Sequence, residues 1–264
     1  MLKKGELPEW YTTMEFIETG YRRPQSVIST FYTIFQWHNE TLNIYTHLLP
    51  GFWFLYELYN IPYKQYYIDS SIYAKFCIFA GYMNAIILLF ASSFAHTFHI
   101  VDKNCNMKCW IIDFTGIIAI NLGRQYVDTY LLCICIFKSP ILFLFLITLE
   151  TTFALYAIYQ IIYMNRGRFW GVVYPAFTSF SLILPLISAT NVTQQFREAT
   201  LYSLTCSAYI SVAGCLFFKG KFPERFYNRN GIFDYFNSHA WHHIFIVVSI
   251  VYAIKMAPLL LVAI

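Results

Sequence analysis

His239 and His243 stand four residues apart in Ser238-His239-Ala240-Trp241-His242-His243, at the mouth of an apolar run from Ile244 to Tyr252. On a helix that spacing stacks both imidazoles on one face, where they reach a single metal ion. His242 is a rival to His243, because i,i+3 neighbours share a face as well. A second polar intrusion, Ser92-Ser93-Phe94-Ala95-His96-Thr97-Phe98-His99, closes an earlier apolar run, and Asp113 sits near the start of the next. His96 is preferred to His99 because Ser92 lies one turn earlier on its face and can bond a water or a substrate carbonyl. Three neutral imidazoles with an open fourth position are a donor set that Zn²⁺ favours in catalytic sites, with Asp113 placed to hold or orient a water. The chemistry expected of such a set is metal-assisted hydrolysis, in which Asp113 accepts a proton and Ser92 donates a supporting hydrogen bond.

These residues must be positioned by elements that are themselves apolar. Of 264 residues 58% are hydrophobic and only 12% charged, with mean hydropathy +0.50. Soluble domains carry about 25% charged residues, so this composition describes a polytopic membrane protein and not a soluble core. Seven apolar segments can be drawn, at about 43–61, 72–100, 111–136, 140–164, 169–189, 198–218 and 239–262. The third and fourth meet at Lys138-Ser139-Pro140, a tight connection marked by proline. Residues 1–38 form a polar N-terminal segment, with Gly20 to Pro24 as a turn and Val27 to Trp37 as a short interfacial helix; residues 39–264 form the seven-helix domain.

Charge asymmetry tests that count independently. When the N-terminus and every second loop are assigned to one side, that side holds Lys3, Lys4, Arg22, Arg23, Lys103, Lys108, Arg166, Arg168, Lys219, Lys221, Arg225 and Arg229, twelve of the 18 basic residues. The positive-inside rule then makes the N-terminus cytoplasmic and the C-terminus extracellular or luminal, in the plasma membrane or an endomembrane. In that topology the ends bearing Ser92 and His96, Asp113, and His239 with His243 converge on the cytoplasmic leaflet. Ionisable groups within the apolar layer are costly, and their agreement in depth favours one shared site over three unrelated interfacial anchors. The small net charge of +4 follows orientation and does not point to nucleic acid.

Other polar residues carry separate expectations. Arg124 and Asp128 are spaced for an intrahelical pair, Glu150 needs a partner or a cavity, and His47 bonds a neighbouring helix. Segments 140–164 and 198–218 read as packing helices, with Gly214 available for close approach. The seven cysteines form no disulfide framework, and Cys105 and Cys109, four apart before Asp113, read as free cytosolic thiols for want of two more ligands. No apolar core follows Lys3 and Lys4, so no cleavable signal peptide is expected, and Asn191-Val192-Thr193 is a sequon close to the membrane.

With those residues in place, the chain resembles the progestin and adipoQ receptor (PAQR) family, which includes adiponectin receptors, membrane progestin receptors and hemolysin III-like proteins. The resemblance rests on Gly20 to Pro24 followed by Glu40-Thr41-Leu42-Asn43-Ile44-Tyr45-Thr46-His47-Leu48-Leu49, on Ser92-x-x-x-His96 with Asp113-Phe114-Thr115-Gly116-Ile117, and on Phe222-Pro223-Glu224-Arg225-Phe226 leading to Phe233-Asp234 and Ser238-His239-x-x-x-His243. It implies an all-α, seven-transmembrane bundle in which the counterparts of His96, His239 and His243 bind Zn²⁺ and that of Asp113 holds its water; the family spacing selects His243 over His242. Departures are a short N-terminal region, Asp113-Phe114 in place of Asp-Tyr, and Asn228-Arg229-Asn230-Gly231 where relatives often have a Pro-Gly turn. The family includes both receptor and enzyme activities. The favoured expectation is a zinc-dependent intramembrane amide hydrolase of ceramidase type acting on a membrane lipid or sphingolipid; the alternative is a receptor for an extracellular ligand with a structural zinc, and a lesser one is a protein of zinc or lipid homeostasis.

Overall fold

The computed structural model describes residues 1–180, 212–228 and 231–262. The sequon at Asn191, Cys206 and much of the fifth and sixth apolar segments lie outside the described residues. The described residues form helices, with one isolated antiparallel bridge between Leu2 and Tyr21 and no longer strand. In chain order the helices are α1 (Val27–Tyr32), α2 (Thr41–Asn60), α3 (Gln65–Ile68), α4 (Ile72–Phe98), α5 (Lys103–Tyr130), α6 (Pro140–Met164), α7 (Gly167–Phe180), α8 (212–220) and α9 (Ser238–Val262).

Four of the seven apolar segments coincide closely with α2, α4, α6 and α9. The third starts two turns earlier than hydropathy suggests. Asp102 caps it, its Oδ1 accepting the Cys105 amide at 2.9 Å, and a cap is invisible to an apolar window. α5 then runs into a π-helical turn, Leu131–Ile136, and Ser139 caps α6 with Pro140 in the first turn, as the Lys138-Ser139-Pro140 connection predicts. Among the described residues two helices, α4 and α6, are long and apolar enough to cross a bilayer by length and composition.

The chain divides into two compact units. The first comprises Met1–Pro50, Leu89–Asp113 and Tyr209–Val248. Its N-terminal segment packs Tyr11, Ile17 and Tyr21 on Ile100, and turns at Gly20, whose φ of +80° favours glycine and whose carbonyl accepts the Asn39 amide at 3.0 Å. Ser26 caps α1, a 3₁₀ turn (Thr33–Phe35) follows, and Ile28, Phe31 and Phe35 stay exposed while Thr30 and Thr33 are buried. Gly214 of α8 meets α9 so closely that a Cβ there would lie 2.8 Å from that of Phe245.

The second unit comprises Gly51–Leu88, Phe114–Ala208 and Ser249–Ile264. Its core joins Ala74, Cys77 and Ala80 of α4 to Tyr126 and Tyr130 of α5 and Phe143 of α6. Gly123 lets α5 approach α4, because a Cβ there would stand 2.9 Å from Asn84 Cβ. Arg124 Nη2 and Asp128 Oδ2 each lack a hydrogen-bond partner, so the intrahelical pair expected from their spacing is not closed, although the two charges still act on each other. Glu150 has its partner in Thr129, whose hydroxyl donates at 2.5 Å.

Candidate metal centre

The first unit assembles its polar centre from the last turns of α4. A helix end leaves carbonyls without partners. Here the buried Arg22 takes them: Nη2 donates to the His96 carbonyl at 2.6 Å and Nη1 to that of Thr97 at 3.0 Å, with Thr33 Oγ1 a further acceptor at 2.9 Å. Ser93 and Thr97 return their hydroxyls to the carbonyls one turn back, Leu89 at 2.7 Å and Ser93 at 2.7 Å, so that the apolar helix carries them without orphaned donors.

His96 Nδ1 meets Glu40 Oε2 at 2.8 Å, and that oxygen also accepts from Asn43 Nδ2 at 2.7 Å. Burial alone would push the Glu40 carboxyl up, but the adjoining His96, with His99 and Asn43, holds it well below the ordinary carboxylate range. An ionised carboxylate accepts only, which fixes the His96 proton on Nδ1 and leaves Nε2 as a lone-pair donor. His243 is set in the same way, its Nδ1 lying 3.0 Å from the Asn43 carbonyl and 3.3 Å from Thr46 Oγ1. Its ring stacks on His47 at 3.8 Å and 7°. Asn237 begins α9 by accepting the His239 and Ala240 amides at 3.1 Å each, and Glu224 holds the Ser238 amide and hydroxyl, so the turn bearing His239 is pinned.

The three predicted ligands come together. His239 Nε2 lies 3.1 Å from His96 Nε2, and one ring nitrogen from each of His96, His239 and His243 falls within 4.8 Å of the others. Two imidazoles on one Zn²⁺ at 2.0–2.1 Å place their nitrogens about 3.3 Å apart, close to the His96–His239 separation, so the cluster is compatible with a metal site. His242 is set apart, stacked on Phe218. His99 is buried beside Glu40, Tyr11 and Trp110 and does not join the set. Asp113 is buried, and both His96 and Ser92 act electrostatically on its carboxyl. Trp110, one turn before it, sets its ring edge-on to His96 at 5.6 Å.

Residue reading overlooked the groups that aim the ligands: Arg22, Glu40, Asn43 and Asn237. A signal was present in the polar block from His38 to His47 at the entrance of an apolar segment, which also supplies His38 as a brace between the Thr33 carbonyl and the Glu40 amide.

Comparison with known proteins adds the lineage. Residues 35–254 match the family described as Haemolysin-III related. The chain belongs to that family, the PAQR proteins. It is 27% identical over 258 residues to heptahelical transmembrane protein 1 of Arabidopsis thaliana, covering 92% of this chain and 76% of that one. To the ADIPOR-like receptor IZH2 of Saccharomyces cerevisiae it is 25% identical over 266 residues, covering 92% and 78%. A shorter stretch of 105 residues is 33% identical to membrane progestin receptor gamma of Mus musculus, 39% of this chain and 31% of that receptor. Coverage of a fission-yeast relative that is 28% identical reaches 57% of its length. Family membership makes this a membrane protein with receptor-like relatives.

Proposed function

We propose that this protein is a zinc-dependent intramembrane amide hydrolase of ceramidase type, acting on a lipid or sphingolipid taken from the bilayer. The observation that carries the proposal is the convergence of His96, His239 and His243, two with tautomers set by Glu40 and by the Asn43 carbonyl, with the buried Asp113 carboxyl within electrostatic reach of His96 and Ser92. His96, His239 and His243 would hold the ion, which when bound supplies a Lewis acid for an acyl carbonyl and acidifies water. Asp113 accepts the proton of the attacking water and passes it to the leaving amine. Ser92 orients Asp113 and can turn its hydroxyl toward the substrate carbonyl. The buried surroundings of Asp113 and His96 exclude bulk water, which strengthens each of these contacts.

The membrane frame is seven spans with a cytoplasmic N-terminus and an extracellular or luminal C-terminus, supported by the distribution of Lys and Arg. A C-terminal tag labelled by antibody on intact cells, or shielded from antibody when the plasma membrane alone is permeabilised, is the expected result; labelling from the cytosol overturns the orientation. The activity is tested on purified protein with its metal quantified, assayed for fatty-acid release from ceramides alongside Asp113→Ala and His239→Ala. Release by the parent and loss in both variants is expected, and zinc-loaded protein that leaves the amide intact overturns the hydrolase.

A second reading, a ligand-sensing receptor with structural zinc, is favoured by the receptor names of the yeast and mouse relatives and by the way the cluster ties α4 and α9 to the start of α2. It requires signalling to survive Asp113→Ala while zinc-ligand variants unfold.

A further inference from the structure

Two sulfurs outside the histidine set occupy the first turns of α5. Cys105 and Cys109 share a helix face, and their Sγ atoms lie 3.8 Å apart. The turn is fixed: Asp102 Oδ1 accepts the Cys105 amide at 2.9 Å, and the Cys105 thiol rests on the Phe98 carbonyl at 3.3 Å. Cys109 is buried, whereas Cys105 remains partly exposed, which leaves one sulfur as an entry point. We propose that Cys105 and Cys109 form a second metal site, a dithiol that takes a thiophilic divalent cation of the Zn²⁺ or Cd²⁺ type.

The geometry suits that class. Two thiolates on one tetrahedral ion with metal–sulfur distances of about 2.3 Å stand about 3.8 Å apart, so the pair grips the ion without leaving its rotamers. Sulfur donors select soft ions and reject Ca²⁺ and Mg²⁺. Two metal–sulfur bonds form as two S–H bonds break, and both protons go to solvent. Burial pushes the Cys109 thiol up, with Cys105 adding to the effect, so the empty pair rests as thiols and the ion competes with protons. Among the described residues no third His, Cys, Asp or Glu completes a ligand set with these sulfurs. Water fills the remaining positions, and binding is therefore exchangeable, unlike that of a closed four-ligand structural site. Asp113 follows Cys109 by one turn, so an ion here brings positive charge toward the carboxylate assigned to proton transfer. The proposal does not require the histidine centre to be loaded.

The test uses the full chain in detergent, stripped of metal and titrated with Cd²⁺, with the ultraviolet sulfur-to-cadmium charge-transfer band as one readout and maleimide alkylation of Cys105 as the other. About one equivalent of Cd²⁺ per chain is expected to raise the band. The band should persist in a His96→Ala, His239→Ala, His243→Ala variant and vanish in Cys105→Ser. Alkylation of Cys105 in the unsubstituted chain should slow by about tenfold or more once Cd²⁺ is bound, a readout that needs no folded variant. An unchanged band in a Cys105→Ser, Cys109→Ser double variant, or alkylation indifferent to Cd²⁺, overturns the site.

Discussion

The two units bury polar side chains in different ways. In the first, groups far apart in sequence close on one another: Arg22 on the end of α4, Glu40 on His96, Asn43 on His243, and Asp234 on the amides of Glu18 and Thr19. In the second, polar residues pair singly between helices: Thr129 with Glu150, Tyr126 with Thr151 at 2.6 Å, and Tyr174 with Gln125 at 3.1 Å. Each of those pairs fastens a helix contact and stops there. A network whose members hold one another's tautomers and orientations is what a metal or catalytic site needs, whereas isolated pairs serve packing. The proposed chemistry is therefore placed in the first unit, and Glu150 of the second, paired with Thr129, is given a packing role.

The largest effect that sharpens this contrast is loss of the ligands. In a Cys105→Ser, Cys109→Ser background, which removes the proposed dithiol site, adding His96→Ala, His239→Ala and His243→Ala is expected to abolish the zinc content read by elemental analysis of the purified protein; unchanged zinc content would move the centre elsewhere. Next comes Arg22→Met, which strips a charged donor from two buried carbonyls and a hydroxyl. It should lower stability by about 3 kcal/mol, seen as an earlier thermal unfolding transition. Below that lies Glu40→Gln, which keeps the shape but removes the charge that fixes the His96 tautomer. Zinc affinity should fall by about 10- to 100-fold in a competition titration while the fold persists.

Much of the first unit's content was legible before any coordinates. Ser92 one turn earlier singles out His96, i,i+4 spacing and the family pattern single out His239 and His243, agreement in depth argues for one shared site, and those three are brought together. The caps and anchors were harder to read. Glu40 precedes α2 and belongs to no helical pattern, and its partner His96 lies 56 residues away, so neither periodicity nor local spacing links them. Arg22, which the sequence places in a turn and on the basic side, is buried as a helix-end anchor, because its two terminal nitrogens find the His96 and Thr97 carbonyls and the Thr33 hydroxyl. Where i,i+4 spacing was trusted alone, at Arg124 and Asp128, it misled: the rows coincide but the pair does not close.

The smallest effect tests the other side of the contrast. Thr129→Val in the second unit removes the hydroxyl that donates to Glu150 and leaves a shape of similar volume. On the packing view it costs about 1 kcal/mol in thermal stability and leaves zinc content and amide hydrolysis unchanged. Adding Glu150→Gln should then change little more, because the two residues share one interaction and their effects do not sum. If instead the double variant kept its fold but lost hydrolysis, the second unit's carboxylate would be doing chemistry, and the division of labour between the units would fail at that residue.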